Sequence, residues 1–111
     1  MPHFEMTAEP FADGVRVEIA GELDLVCAYT FDARLREIEA EGPGLVVLDL
    51  RRLTFVDSAG IGRIVAAHLR ARRARRRLVM VRGSRTVQRV LTLTALDTVF
   101  EMVSEPEAVL A

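Results

Sequence analysis

Leu45-Val46-Val47-Leu48-Asp49-Leu50, followed after Arg51-Arg52-Leu53-Thr54 by Phe55-Val56-Asp57-Ser58-Ala59-Gly60-Ile61-Gly62, decides how this chain reads. The first run is too short for a helix and apolar on both faces, the pattern of a central parallel strand covered on each side. The second leads into a helix from about Ser58 to Arg73, because Ile61, Ile64, Val65, His68 and Leu69 recur at helical spacing. Ser58 therefore stands where a helix begins, as N-cap or first-turn residue, among backbone N–H groups that lack partners and favour negative charge. Asp57 supplies a second capping side chain, so it can cap while Ser58 turns its hydroxyl to solvent. Gly60 and Gly62 in the first turns lower helix stability by about 0.8–1 kcal/mol each relative to alanine. Close approach is the gain that offsets them, either of another protein or of the helix to its own sheet.

Working outward toward the N-terminus, His3 to Ala8 alternates weakly and Val15 to Ala20 cleanly, with Pro10 and Asp13-Gly14 between them. These are two strands joined by a turn. Gly21-Glu22-Leu23-Asp24 breaks the second strand and offers Asp24 as an N-cap for a helix from about Leu25 to Glu41. Ala28, Phe31, Leu35 and Ile38 form the core stripe of that helix, and Gly42-Pro43-Gly44 ends it.

Toward the C-terminus, Leu78-Val79-Met80-Val81 is another two-sided apolar strand. Ser84 caps a third helix with the face Val87, Val90 and Leu91, and Val99 to Val103 makes a last strand. Ser104 and Glu107 at capping-box spacing, with Pro106 in the first turn, start a fourth short helix. The order β-β-α-β-α-β-α-β-α implies an α/β fold. Its small, mostly parallel sheet has an antiparallel N-terminal edge strand, right-handed crossovers and about four flanking α-helices.

A chain of 111 residues, half of them apolar, fills one core, so residues 1–111 read as a single domain. The net charge of −1 gives no general pull toward nucleic acid or an anionic membrane. Cys27 is the sole cysteine, which excludes an internal disulfide and a multi-cysteine metal site. No metal or cofactor is expected. The N-terminus lacks the pattern of a signal peptide and no apolar run nears the ~20 residues of a membrane span, so a cytoplasmic location is expected. All fifteen cations are arginine, and six of them, Arg70, Arg72, Arg73, Arg75, Arg76 and Arg77, gather at the end of the second helix. Cations favour a helix C-terminus, and the cluster lacks the aromatics or recognition helix of a nucleic-acid patch.

Ser58 as a catalytic nucleophile would need a base within hydrogen-bond reach. His68 lies ten residues along the same helix, about 15 Å away at ~1.5 Å per residue, and does not qualify. It reads instead as a partly buried residue at the core edge. Val56-Asp57-Ser58-Ala59-Gly60 lacks the first glycine of a nucleophile elbow, and the glycine spacing matches neither a P-loop nor a dinucleotide fingerprint. Cys27, near a helix start, is either a thiol of lowered pKa or an inert small residue.

Gly21-Glu22-Leu23-Asp24, Leu45 to Leu50 and Leu53 to Gly62, at these separations, together resemble the bacterial anti-sigma-factor antagonists of the STAS family. The resemblance spans almost the whole chain. It implies a small sheet flanked by helices and no enzymatic activity. It further implies binding to an anti-sigma factor that is also a serine kinase, which frees the sigma factor. Phosphorylation of the serine after the motif aspartate ends that binding, and a phosphatase restores it. By position the phosphorylated residue is Ser58, and the partner surface comprises Asp24, Asp57, Ser58, Ala59, Gly60, Ile61, Gly62 and Arg63. Ala59 stands where many relatives have a second serine, leaving Ser58 as the acceptor. The resemblance also admits an accessory subunit of a membrane transport ATPase or sensory complex, without regulated phosphorylation.

Overall fold

The computed structural model describes residues 3–110. Strands β1 (Phe4–Phe11), β2 (Gly14–Leu23), β3 (Leu45–Val56), β4 (Arg77–Val81) and β5 (Glu101–Val103) form one sheet in that spatial order. β1 pairs antiparallel with β2, and every later pairing is parallel. Helices α1 (Leu25–Ala40), α2 (Ser58–Ala74) and α3 (Arg85–Leu93) connect the parallel strands. When successive parallel strands are added in one direction with crossovers of one hand, every connecting helix falls on the same face. The main core fits that rule: Phe31 and Leu35 of α1, Ile64 and Ala67 of α2, and Val87 and Leu91 of α3 pack together on Val46, Leu48 and Leu50 of β3.

Side chains alternate across a strand, so Leu45, Val47 and Asp49 face the other way. All six residues from Leu45 to Leu50 are buried, as the apolar run implies, but among the described residues no α-helix closes this second face. Leu45 and Val47 pack with Val79, Val81 and Val109, the last supplied by a 3₁₀ turn, Pro106–Leu110. Asp49, fully buried, takes hydrogen bonds from the Arg51 side chain at 2.8–3.2 Å, from the Arg51 N–H at 3.1 Å and from Arg16 at 3.1 Å. Burial alone would raise its pKa. The Arg51 hydrogen bonds and charge, with help from Arg16, instead hold it below the usual carboxylate range.

Several boundaries differ from the sequence expectation: β1 extends past Ala8 through Pro10 to Phe11, and β2 runs on through Gly21 to Leu23 instead of breaking there. The fourth helix is the five-residue 3₁₀ turn just named, so the described residues hold three α-helices rather than about four. Five residues close too few i→i−4 bonds to propagate an α-helix. β3 continues past Leu50 to Val56, with Leu53 and Val56 still buried. β5 begins at Glu101, because a 3₁₀ turn at Leu96–Thr98 occupies the approach and sets Phe100 into the core.

Candidate functional site

Parallel pairing of β2 with β3 sets Leu23 opposite Val56, so both strands end at the same level of the sheet. Each is followed by an aspartate and then a helix. The Asp57 N–H donates to the Leu23 carbonyl at 3.2 Å, locking the two exits together. Asp24 caps α1, its Oδ1 accepting from the N–H groups of Val26 (3.0 Å) and Cys27 (3.2 Å). Asp57 caps α2 by accepting from the Gly60 N–H at 3.0 Å, while its second oxygen accepts from the Leu25 N–H at 3.0 Å. One carboxylate thus serves the first turns of two helices, whose N-termini lie side by side.

Since Asp57 does the capping, Ser58 is released from it. It occupies the first turn of α2 and is exposed. Gly60 is buried: a Cβ there would lie 2.4 Å from the Leu23 carbonyl oxygen and 2.9 Å from side-chain carbons of Leu23 and Val56. Its missing side chain lets α2 sit down on the sheet. Gly62 is partner-free by the same measure, since a Cβ there would meet nothing within 4 Å. The two glycines that look alike in sequence serve different surfaces, one inward and one outward. Ala59, Ile61 and Arg63 are partly exposed, and Arg63 lies 3.5 Å from Asp32. Ser58, Ala59, Gly62 and Arg63 of α2 and Leu25, Ala28 and Tyr29 of α1 line a shallow depression of about 420 Å³.

Sequence reasoning missed the other wall of this surface. Leu25, Val26 and Tyr29 are 75, 76 and 73 % exposed, an apolar ridge at the start of α1 beside Ser58. Contiguous exposed apolar surface is a general feature of interaction sites. The signal was present: these three residues fall off the Ala28, Phe31, Leu35, Ile38 stripe that builds the core.

Both histidines are engaged away from Ser58. His68 is half-buried and packs edge-on against Phe100, ring centroids 5.3 Å apart, while His3 meets Asp24 and Cys27. Burial, with the negative charges of Asp24 and Glu22, pushes the Cys27 thiol up, so it is not an activated thiolate. Of the arginine cluster, Arg70 pairs with Glu39 and Asp32, Arg77 with Glu101, and Arg76 donates to the carbonyls of Pro43 and Glu39. Arg72 and Arg73 lie in the last turn of α2 and Arg75 caps it in the left-handed conformation. No helix among the described residues is long and apolar enough to cross a membrane.

The STAS domain family model matches residues 7–108. The anti-sigma-F factor antagonist RsfB of Mycobacterium tuberculosis H37Rv is 32 % identical over 93 residues, covering 83 % of this chain and 75 % of that protein. A crystal structure of an anti-sigma factor antagonist from Mycobacterium paratuberculosis superposes with a TM-score of 0.87 at 22 % identity, over 96 % of this chain and 91 % of that one. The Bacillus protein SpoIIAA superposes at 0.79 in its unphosphorylated form (22 % identity, 95 and 93 % covered) and at 0.73 in its phosphorylated form (21 %, 95 and 96 %). At such identities these structures speak for the fold alone.

Proposed function

Since the chain belongs to the STAS domain family, we propose that it is an anti-sigma-factor antagonist whose binding is switched off by phosphorylation of Ser58. The unmodified form binds a kinase-type anti-sigma factor through the depression between α1 and α2 and so releases the sigma factor. The observation that carries this reading is the exposed Ser58 hydroxyl at a helix start already capped by its neighbour. A kinase can reach it, and the cap is carried by Asp57 instead.

The physics of the switch follows from that placement. Phosphate adds about −1.5 to −2 charges at neutral pH. Two helix N-termini point their dipoles toward this edge, so the scaffold tolerates the anion. A partner that buries Leu25, Val26 and Tyr29 does not: a desolvated charge beside that apolar ridge, near Asp24 and Asp57, opposes association. A penalty of roughly 3 kcal/mol weakens binding about a hundredfold. A phosphatase acting on phospho-Ser58 resets the cycle. In this scheme the protein is a cytoplasmic regulator and no enzyme: Ser58 is a substrate.

Incubation with candidate anti-sigma kinases and ATP, followed by mass analysis of the Ser58 peptide, tests the proposal. One phosphate on that peptide, with loss of the complex, is the expected result. A stable complex with a transport or sensory assembly and no added phosphate overturns it in favour of the accessory-subunit role.

A further inference from the structure

Close to this edge lies a group of side chains of which two, His3 and Cys27, have no part in the phosphorylation cycle. His3 Nε2 lies 3.2 Å from Cys27 Sγ and 3.3 Å from Asp24 Oδ2, and one ligand atom from each of the three falls within 4.8 Å of the others. Backbone geometry brings them together. Gly21 takes a positive φ of +91°, and a Cβ there would lie 2.1 Å from the His3 carbonyl oxygen, so the N-terminal end of β1 closes tightly over the end of β2. The Glu22 N–H then holds that carbonyl at 2.7 Å. Asp24 Oδ1 accepts from the N–H groups of Val26 and Cys27, and both carboxylate oxygens lie near His3 Nε2, Oδ2 at 3.3 Å and Oδ1 at 3.5 Å.

We propose that His3, Asp24 and Cys27 form a zinc-binding site. Imidazole, carboxylate and thiolate are the donors that zinc takes, at about 2.0–2.1 Å from nitrogen or oxygen and about 2.3 Å from sulfur. Tetrahedral angles then require ligand atoms about 3.3–3.6 Å apart, close to the observed 3.2 and 3.3 Å edges. The backbone bonds to Asp24 Oδ1 orient the carboxylate in the way outer partners orient metal ligands. A Cys-His-Asp relay does not explain the group, because sulfur and carboxylate both face His3 Nε2, whereas a relay sets the nucleophile and the orienting carboxylate on opposite ring nitrogens. Zinc binds the cysteine as thiolate, with release of its proton. The single cysteine therefore rules out a multi-cysteine centre but leaves room for this mixed one. Leu25, next in the chain to Asp24, is held by Asp57, so a metal here stiffens the turn that carries the partner surface.

Titration of the metal-free full chain with Co²⁺, read by absorption, tests the site. Expected are a thiolate-to-cobalt charge-transfer band and tetrahedral d–d bands saturating at one equivalent and bleached by Zn²⁺. His3→Gln, an exposed change, should weaken Co²⁺ binding by at least about tenfold, and Cys27→Ser should remove the charge-transfer band. Absence of those bands overturns the proposal. So does unchanged affinity in His3→Gln with its circular-dichroism spectrum intact, which decides the matter even if Cys27→Ser does not fold.

Discussion

Replacing Asp57 with alanine removes the acceptor of two backbone N–H groups, those of Gly60 and Leu25, in two different helices. Single caps contribute about 1 kcal/mol, so Asp57→Ala should lower stability by about 2 kcal/mol in urea titration, and Asp57→Asn, which keeps one oxygen, by roughly half. Gly60 and Gly62 make a sharper pair. A Cβ at Gly60 meets the Leu23 carbonyl oxygen at 2.4 Å, so Gly60→Ala should destabilise by about 1–3 kcal/mol. Gly62→Ala meets open space and should stabilise the helix by about 0.8 kcal/mol. Opposite shifts in thermal midpoint are the check. The sequence shows that both glycines interrupt a helix start, yet their directions depend on how far α2 rotates over the sheet, which no local rule supplies. Capping by Asp24 and Asp57 was legible for the converse reason, since an N-cap reaches only two or three residues along its own chain.

Helix α1 divides its surface: Phe31 and Leu35 fill the core, while Leu25, Val26 and Tyr29 face solvent next to the first turn of α2. Tyr29→Ala should leave the fold intact and weaken the complex with the anti-sigma factor at least tenfold, measured by calorimetry, as expected for a central aromatic anchor. Ser58→Asp should keep its circular-dichroism spectrum and lose the partner, and Ser58→Ala should bind regardless of ATP. An unfolded Ser58→Ala would return the residue to a purely architectural role. The apolar stripe of α1, with its period of three to four residues, was readable because it fixes the buried face. The same period marks Leu25, Val26 and Tyr29 as lying off the core, but their place beside Ser58 emerges only when the β2–β3 register lays one helix start beside another. The end of β3 was hidden similarly, since Arg51, Arg52, Thr54 and Phe55 are exposed and only Leu53 and Val56 are buried, a spacing unlike strict alternation.

Across the whole molecule the two faces of the sheet are built differently: helices and aliphatic side chains on one, a 3₁₀ turn and an arginine–carboxylate network on the other. Asp49 anchors that network with its pKa depressed. A group whose folded pKa lies below its unfolded one stabilises the protein above the ordinary carboxylate value near 3.9, and that contribution is lost as pH falls through the folded value. The urea midpoint should therefore drop steeply below about pH 4, and Asp49→Asn should lower it at neutral pH while flattening the acid limb. The mostly parallel sheet and its order of elements were legible from spacing alone. The one-sided placement of the helices follows from crossover hand, but the charged closure of the other face rests on side chains that meet only after β2 and β3 align. The chain order of the strands, from β1 at one edge to β5 at the other, has a further effect. Each strand joins only the one made just before it, so a chain emerging from the ribosome extends its sheet one edge at a time and never has to break an existing pairing to admit a newcomer.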